Sequence, residues 1–232
     1  MRALYIKDLD KYHAGEKFSY CGDYFHHLKN VIRLRPGEKV LLLNGEGLIA
    51  ESICVDIGKK SALFQVRLKA LKKRNGRECI ISQIKKESME LALRAAVETG
   101  VESIQIVKTD YSQNFKINVE RLEKLLISSM LQANSPFLPK VVFHNSFEDF
   151  IKKFKRKILF FDNSIVNNSQ NLEIDNYLKM SPVIMIGPEG GFSKKEKEII
   201  SKNNYVSLAF DSPIMRAENA LVAALSFRYF NL

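Results

Sequence analysis

Residues 183–200 read VIMIGPEGGFSKKEKEII, and they predict a strand, a glycine-rich loop and a helix in immediate succession. The apolar run at 183–186 has the length and composition of a strand that is buried on both faces of a parallel sheet. Ser193 and Glu196 have the spacing of a capping box, which predicts that the helix begins at Ser193.

The loop between these elements is rich in glycine, so a ligand can approach its main chain closely. An ordinary strand-to-helix connection has the same local pattern, and that alternative stays open. In open α/β sheets, however, ligands bind at the carboxyl ends of strands. A second stretch, residues 208–230, reads LAFDSPIMRAENALVAALSFRYF and predicts a short strand, an irregular loop with Arg216 and Glu218, and an apolar helix over 220–230.

Three motifs carry a family resemblance: IGPEGGFS at 186–193, IMRAENA at 214–220, and HHLKNVIRLRPGEKVLLLNGEG at 26–47. Together they resemble the RsmE family of SPOUT RNA methyltransferases. The resemblance implies S-adenosylmethionine-dependent methylation of uridine N3 in small-subunit (16S) ribosomal RNA, with an assembled ribosomal particle as the expected form of the substrate. It also implies a homodimer, and a C-terminal trefoil knot that periodicity alone does not predict, since chains rarely thread themselves.

The fold class predicted is α/β, with two domains. Residues 1–70 show four strand-like runs, at 3–6, 39–43, 48–55 and 62–68, and one short helix that Asp23 can cap. A small β-barrel carrying one helix fits this order, and the resemblance implies that it is a PUA-like RNA-binding domain. Residues 71–232 alternate strands and helices, which predicts a mostly parallel sheet; the resemblance makes this the SPOUT methyltransferase domain.

The formal net charge of +10 over 232 residues makes an anionic partner reasonable without identifying it.

Three separated cysteines fit a reducing cytoplasm. The histidines and cysteines lack metal-ligand spacing, so no metal site is predicted. No run of residues is apolar enough to span a bilayer, so we expect a cytoplasmic protein and no membrane partner.

The resemblance also assigns site residues. The cofactor S-adenosyl-L-methionine would be lined by Ile186, Gly187, Glu189, Gly190, Phe210, Met215 and Ala217. RNA would meet basic side chains of the first domain, at Arg2, His26, His27, Arg33 and Arg35. For the RNA-facing set, ordinary solvated surface charge is the alternative.

Arg216 and Glu218 are the predicted catalytic residues. Arg216 would stabilise negative charge on the uracil or hold a phosphate, and Glu218 would accept the N3 proton. The alternatives are an Arg216 ion pair with Glu218 or Asp211, and a Glu218 placed only to suit the helix dipole.

Ala95, Leu131 and Ser135 stand where the family usually carries polar or basic residues. A binding protein that lacks turnover on the same fold, or a methyltransferase for another RNA, therefore remains a second interpretation.

Overall fold

The computed structural model describes residues 2–22, 24–162 and 176–230, which exclude the predicted cap Asp23. The chain forms two compact units, Met1–Asn75 with Leu126–Leu138, and Gly76–Leu125 with Pro139–Leu232. None of the helices in the described part of the chain has the length and hydrophobicity that a bilayer span requires.

The first unit is built on a five-stranded sheet in the order β1-β3-β4-β5-β2. Its strands are β1 (Arg2–Tyr5), β2 (Lys17–Tyr20), β3 (Lys39–Leu43), β4 (Leu48–Ile57) and β5 (Ala62–Leu71). Only the β1–β3 pair is parallel among the strand pairs of this sheet. Alternating apolar residues bury one side of each strand, and Leu4, Leu42, Phe64 and Val66 lie in the resulting core.

The strands β3 and β4 form a hairpin. The side-chain oxygen of Asn44 accepts hydrogen bonds from the backbone N–H groups of Glu46 and Leu48, at 2.8 and 2.9 Å. Gly47 has φ +98°, a conformation that residues with a Cβ rarely adopt. The predicted short helix is present as a five-residue π-helical turn, His27–Val31.

The second unit is built on a six-stranded parallel sheet, as the alternating pattern predicts. Its strands are β6 (Glu78–Ser82), β7 (Ser103–Val107), β8 (Lys140–His144), β9 (Ile158–Phe161), β10 (Val183–Ile186) and β11 (Val206–Leu208). The helices with described bounds include α1 (Lys86–Glu98), α3 (Phe147–Lys153), α4 (Lys194–Lys202) and α5 (Ala217–Phe230) in this unit, and α2 (Val119–Ala133), which belongs to the first unit from Leu126 onward.

The strand order of this sheet is β11-β9-β10-β6-β7-β8. The side on which the chain adds its strands therefore changes between β6 and β10. The chain builds outward from β6 through β7 to β8, then crosses to the other side for the remaining strands. Such a reversal opens a crevice at the carboxyl ends of the two central strands, which is where open α/β sheets bind ligands. The loop that follows β10 begins at this crevice, and all four residues of β10 are buried.

Candidate active site

The loop after β10 folds so closely on itself that position 187 has no room for a side chain. A Cβ at Gly187 would lie 2.9 Å from Cε2 of Phe192, whose ring is buried. The N–H of Gly191 donates to the carbonyl of Pro188 at 2.9 Å and closes the turn. Glu189 is exposed, and its Oε1 accepts a hydrogen bond from the backbone N–H of Lys85 at 3.0 Å. One hydrogen bond thus closes the loop on itself, and another joins it to the backbone of Lys85.

The capping box predicted at the start of α4 is confirmed. The N–H of Glu196 donates to Ser193 Oγ at 3.3 Å, and the N–H of Ser193 donates to Glu196 Oε2 at 2.8 Å. The same two side chains also bind Asp110, which lies in the loop after β7: Ser193 Oγ donates to its Oδ2, and Glu196 Oε1 accepts from its N–H at 2.9 Å. The cap therefore ties two strand-end loops together.

The loop after β11 supplies the other predicted cofactor residues. Phe210 stacks on Phe161, the last residue of β9, with ring centroids 4.7 Å apart. Met215 is half-buried and Ala217 is buried. Ile186 ends β10, and Gly187, Glu189 and Gly190 follow it, while Phe210, Met215 and Ala217 follow β11. The two groups therefore lie at the carboxyl ends of strands of one parallel sheet.

Glu218 lies in the first turn of α5, which begins three residues earlier than the sequence predicts, so this carboxylate belongs to a helix rather than to a loop. Its side chain is only 7% exposed, and its Oε2 is buried with no hydrogen-bond partner among the described residues. The helix dipole favours a carboxylate here. A buried oxygen that lacks a partner nevertheless costs free energy, which indicates a site built to receive a hydrogen-bond donor.

Arg216 is exposed, and its carbonyl accepts the N–H of Ala220 at 2.9 Å as the helix begins. Within the described ranges it forms no ion pair with Glu218 or Asp211, so that alternative is not seen. Arg216 thus precedes α5 with an exposed side chain, whereas the side chain of Glu218 is buried.

All five predicted RNA-facing residues are on the surface of the first unit. Arg2 forms an ion pair with Glu38, whose Oε2 also accepts the backbone N–H of Arg35 at 2.7 Å. His26 and His27 lie at the start of the π-helical turn, and Arg33 follows it with φ +52°. The structure therefore links Arg2 with Arg35, and the carboxylate of Glu38 offsets part of the charge of Arg2.

Two residues of the second unit were not predicted from the sequence. Ser82 ends β6 at the crevice, and its Oγ is buried with no partner among the described residues. Tyr111 is 54% exposed and lies against Gly190. Neither belongs to a recognisable local motif, because each owes its place to residues far away in the sequence.

The described part of the chain contains no group of three or more His, Cys, Asp and Glu residues that could hold a metal ion. His144, at the end of β8, lies with Nε2 2.7 Å from Oε1 of Gln105 and with its ring against Phe150. Burial lowers the pKa of His144, and the nearby Lys153 lowers it further. The neutral ring is therefore favoured, as suits a packed side chain.

Residues 74–228 match the RNA methyltransferase domain, which is more than half of the chain. The chain belongs to the RNA methyltransferase family. Residues 21–67 match the PUA domain of RNA methyltransferases, so the first unit is PUA-like, as predicted.

Curated relatives of this RNA methyltransferase confirm the predicted RsmE resemblance. Ribosomal RNA small subunit methyltransferase E 2 of Borreliella burgdorferi is 30% identical over 88% of this chain and 86% of its own. Ribosomal RNA small subunit methyltransferase E of Rickettsia conorii is 31% identical over 87% and 84%.

Solved structures share the fold. Ribosomal RNA small subunit methyltransferase E of Neisseria gonorrhoeae, bound to S-adenosyl methionine, superposes with a TM-score of 0.79 at 20% identity, over 98% of this chain and 96% of its own. A probable rRNA methyltransferase of Porphyromonas gingivalis gives 0.78 at 21% identity, over 99% and 97%.

Proposed function

We propose that the protein transfers a methyl group from S-adenosylmethionine to N3 of a uridine in small-subunit ribosomal RNA. The observation that carries this proposal is the buried Oε2 of Glu218, which has no partner among the described residues and lies two positions after the exposed Arg216, in a segment that follows a strand of the same sheet as the Gly187 loop. The names of the curated relatives supply the RNA and the reaction class.

The residues present fit the cofactor. Gly187 lets the loop pack closely against Phe192, and the next part of the loop, at Glu189 and Gly190, is exposed. Main-chain N–H and C=O groups of residues 186–190 would hold the polar edges of the cofactor, and Phe210, Met215 and Ala217 would give it apolar contacts. When bound there, S-adenosylmethionine supplies an electrophilic methyl group.

Uridine N3 must lose its proton to become a nucleophile. Glu218 Oε2 is the acceptor, because a buried carboxylate oxygen without a donor is ready to receive a proton. Arg216 stabilises the negative charge that this transfer leaves on the uracil carbonyls. The base must reach these groups out of its stack, as enzymes that react with a base require.

On this proposal, residues 1–70 are an RNA-binding barrel and residues 71–232 a methyltransferase domain with a trefoil knot, active in the cytoplasm. A homodimer suits the helix pair of α1 and α5, which pack together and expose Leu91 and Val222. Ile214, before α5, is 88% exposed and extends the apolar surface that a second copy would cover.

The experiment is titration calorimetry with S-adenosylmethionine, followed by methyl incorporation into naked and subunit-assembled small-subunit rRNA. We expect binding, and label in uridine N3. Arg216→Ala should abolish incorporation while leaving cofactor affinity nearly unchanged.

Three other outcomes contradict parts of the proposal. Cofactor binding without incorporation into either RNA would favour the interpretation as a binding protein. Label at another base would retain the enzyme class and overturn the target. Absence of cofactor binding would overturn the site assigned to the Gly187 loop.

A further inference from the structure

Tyr111 stands at the tip of a tight turn after β7. The N–H of Ser112 donates to the carbonyl of Thr109 at 3.1 Å, and the N–H of Thr109 donates to Ser112 Oγ at 2.9 Å. The two hydroxyls of this pair are 2.8 Å apart. This closed network fixes the backbone on both sides of Tyr111, while its ring remains 54% exposed.

The turn is also fixed to the start of α4. Asp110, the neighbour of Tyr111, is held by both members of the capping box, and one of these, Glu196, is 2% exposed. Buried hydrogen bonds to a charged group are among the stronger ones in proteins. The position of Tyr111 is thus set relative to the loop that precedes α4.

One edge of the tyrosine rests on that loop. A Cβ at Gly190 would lie 3.3 Å from Cβ and 3.4 Å from Cδ2 of Tyr111, so the ring and the glycine backbone are in close contact. Gly190 is itself exposed. The ring therefore lies at the outer edge of the proposed cofactor loop, with much of its surface facing water.

Exposed lysines belong to the segments around the ring. Lys108 precedes the turn, Lys194 opens α4, and Lys85 donates its N–H to Glu189 in the loop. Within the described ranges, none of these three ammonium groups forms an ion pair. An exposed aromatic ring combined with lysines on neighbouring segments is what binds single-stranded nucleic acid, through stacking on bases and contacts to phosphates.

We propose that Tyr111 is a stacking platform for an unpaired base of the RNA substrate at the entrance to the methyl-transfer site. The inference rests on the proposed function for the location of that site. The hydrogen-bonded turn and the contact with Gly190 hold the exposed ring next to the proposed cofactor loop. Because the turn is already ordered, stacking costs little conformational entropy.

The test compares Tyr111→Leu, which keeps an apolar side chain without the ring, with Tyr111→Phe, which keeps the ring without the hydroxyl. Fluorescence anisotropy gives the Kd for a labelled twelve-nucleotide oligouridylate and for naked small-subunit rRNA. Calorimetry gives the Kd for S-adenosylmethionine. Phe143→Leu on β8, also in the second unit and 42% exposed, is the matched control.

We expect Tyr111→Leu to weaken binding of both RNAs by roughly tenfold or more. Tyr111→Phe and Phe143→Leu should stay within about twofold of the wild type, and no variant should change the cofactor Kd or the melting temperature appreciably. This pattern would show that the loss of RNA affinity comes from the removal of the aromatic ring of Tyr111.

Three results would overturn the proposal. In the first, Tyr111→Leu binds RNA as the wild type does, or the wild type binds neither RNA. In the second, Tyr111→Phe is as damaged as Tyr111→Leu, which would make the hydroxyl the important group. In the third, Tyr111→Leu loses cofactor affinity alone, which would make the ring a cofactor contact. A wild type that binds RNA through Tyr111 but does not bind S-adenosylmethionine would instead refute the proposed function.

Discussion

Glu218 places a carboxylate oxygen in the interior without a partner among the described residues. If this oxygen takes the N3 proton, Glu218→Gln should lower the methyl-transfer rate by roughly 100- to 10,000-fold with little change in RNA or cofactor affinity. The free energy of unfolding should stay equal or rise, because the substitution removes a buried charge. Single-turnover kinetics measures the methyl-transfer rate, and urea denaturation measures the free energy of unfolding.

Glu198→Gln on the exposed side of α4 is the control for the same chemical change, and it should keep the full rate. A Glu218→Gln protein with more than half of the wild-type rate would leave Glu218 as a helix-capping charge only.

Substitution of the single residue Gly187 tests whether the loop after β10 binds the cofactor. A Cβ there would meet the ring of Phe192, which is itself packed against Phe147 and Phe160 at centroid distances of 5.8 and 5.4 Å. Because that ring has no open space to enter, Gly187→Ala should lower the free energy of unfolding by about 1–3 kcal/mol. It should also weaken S-adenosylmethionine binding at least tenfold, as measured by calorimetry.

Gly58→Ala is the matched control, since a Cβ at that position meets only an ordinary contact, 3.4 Å from the carbonyl of Ser61. Equal cofactor affinity in the Gly187 and Gly58 variants would argue that the loop does not bind the cofactor.

At the scale of elements, two helices of the second unit have a serine cap but only one cap joins two loops. Ser193→Ala and Ser146→Ala each remove a side-chain acceptor for a backbone N–H, at 3.3 and 3.2 Å. Each should cost about 0.5–2 kcal/mol of stability, by chemical denaturation. Only Ser193→Ala should also weaken cofactor and RNA binding, because it removes one of the two hydrogen bonds that hold Asp110 and so loosens the turn of Tyr111. Equal ligand affinities in the two variants would show that the link is not needed.

The elements also show what the sequence can predict. The bounds of β3 and β10 agree with the sequence prediction, because each has a strong apolar pattern of the right length. The strand β2 was missed, and it is an edge strand of its sheet. A strand with a neighbour on one side only has less surface to bury; KFSY has a single buried residue and therefore resembles a loop in the sequence.

Some residues of the candidate site could be predicted from the sequence, and others could not. The motifs around Gly187 and Glu218 are local in sequence, so they could be recognised from it. Tyr111 and Ser82 could not, because the first depends on hydrogen bonds from Asp110 to residues more than eighty positions later, and the second on the strand order of the sheet.

At the scale of the whole molecule, the formal charge of +10 predicts salt-dependent RNA binding. The logarithm of the association constant for oligouridylate should fall linearly with the logarithm of salt concentration, with a slope of about −0.7 per phosphate contact. Lys85→Gln and Lys194→Gln should each reduce the slope by roughly that amount. Lys11→Gln is the control, since Asp8 already neutralises Lys11 at 3.0 Å. A slope near zero would mean that charge does not drive RNA binding.

The order of the parallel sheet has a consequence for biosynthesis. Cys79 in the central strand β6 pairs with Ile184 in β10, which the ribosome makes much later. Until then, β6 has an open edge, and open strand edges invite pairing with other chains. Contacts between residues so distant in sequence also slow folding. The crevice that lies between these two strands therefore cannot form until β10 has left the ribosome, so the site is assembled more than a hundred residues after its first strand is made.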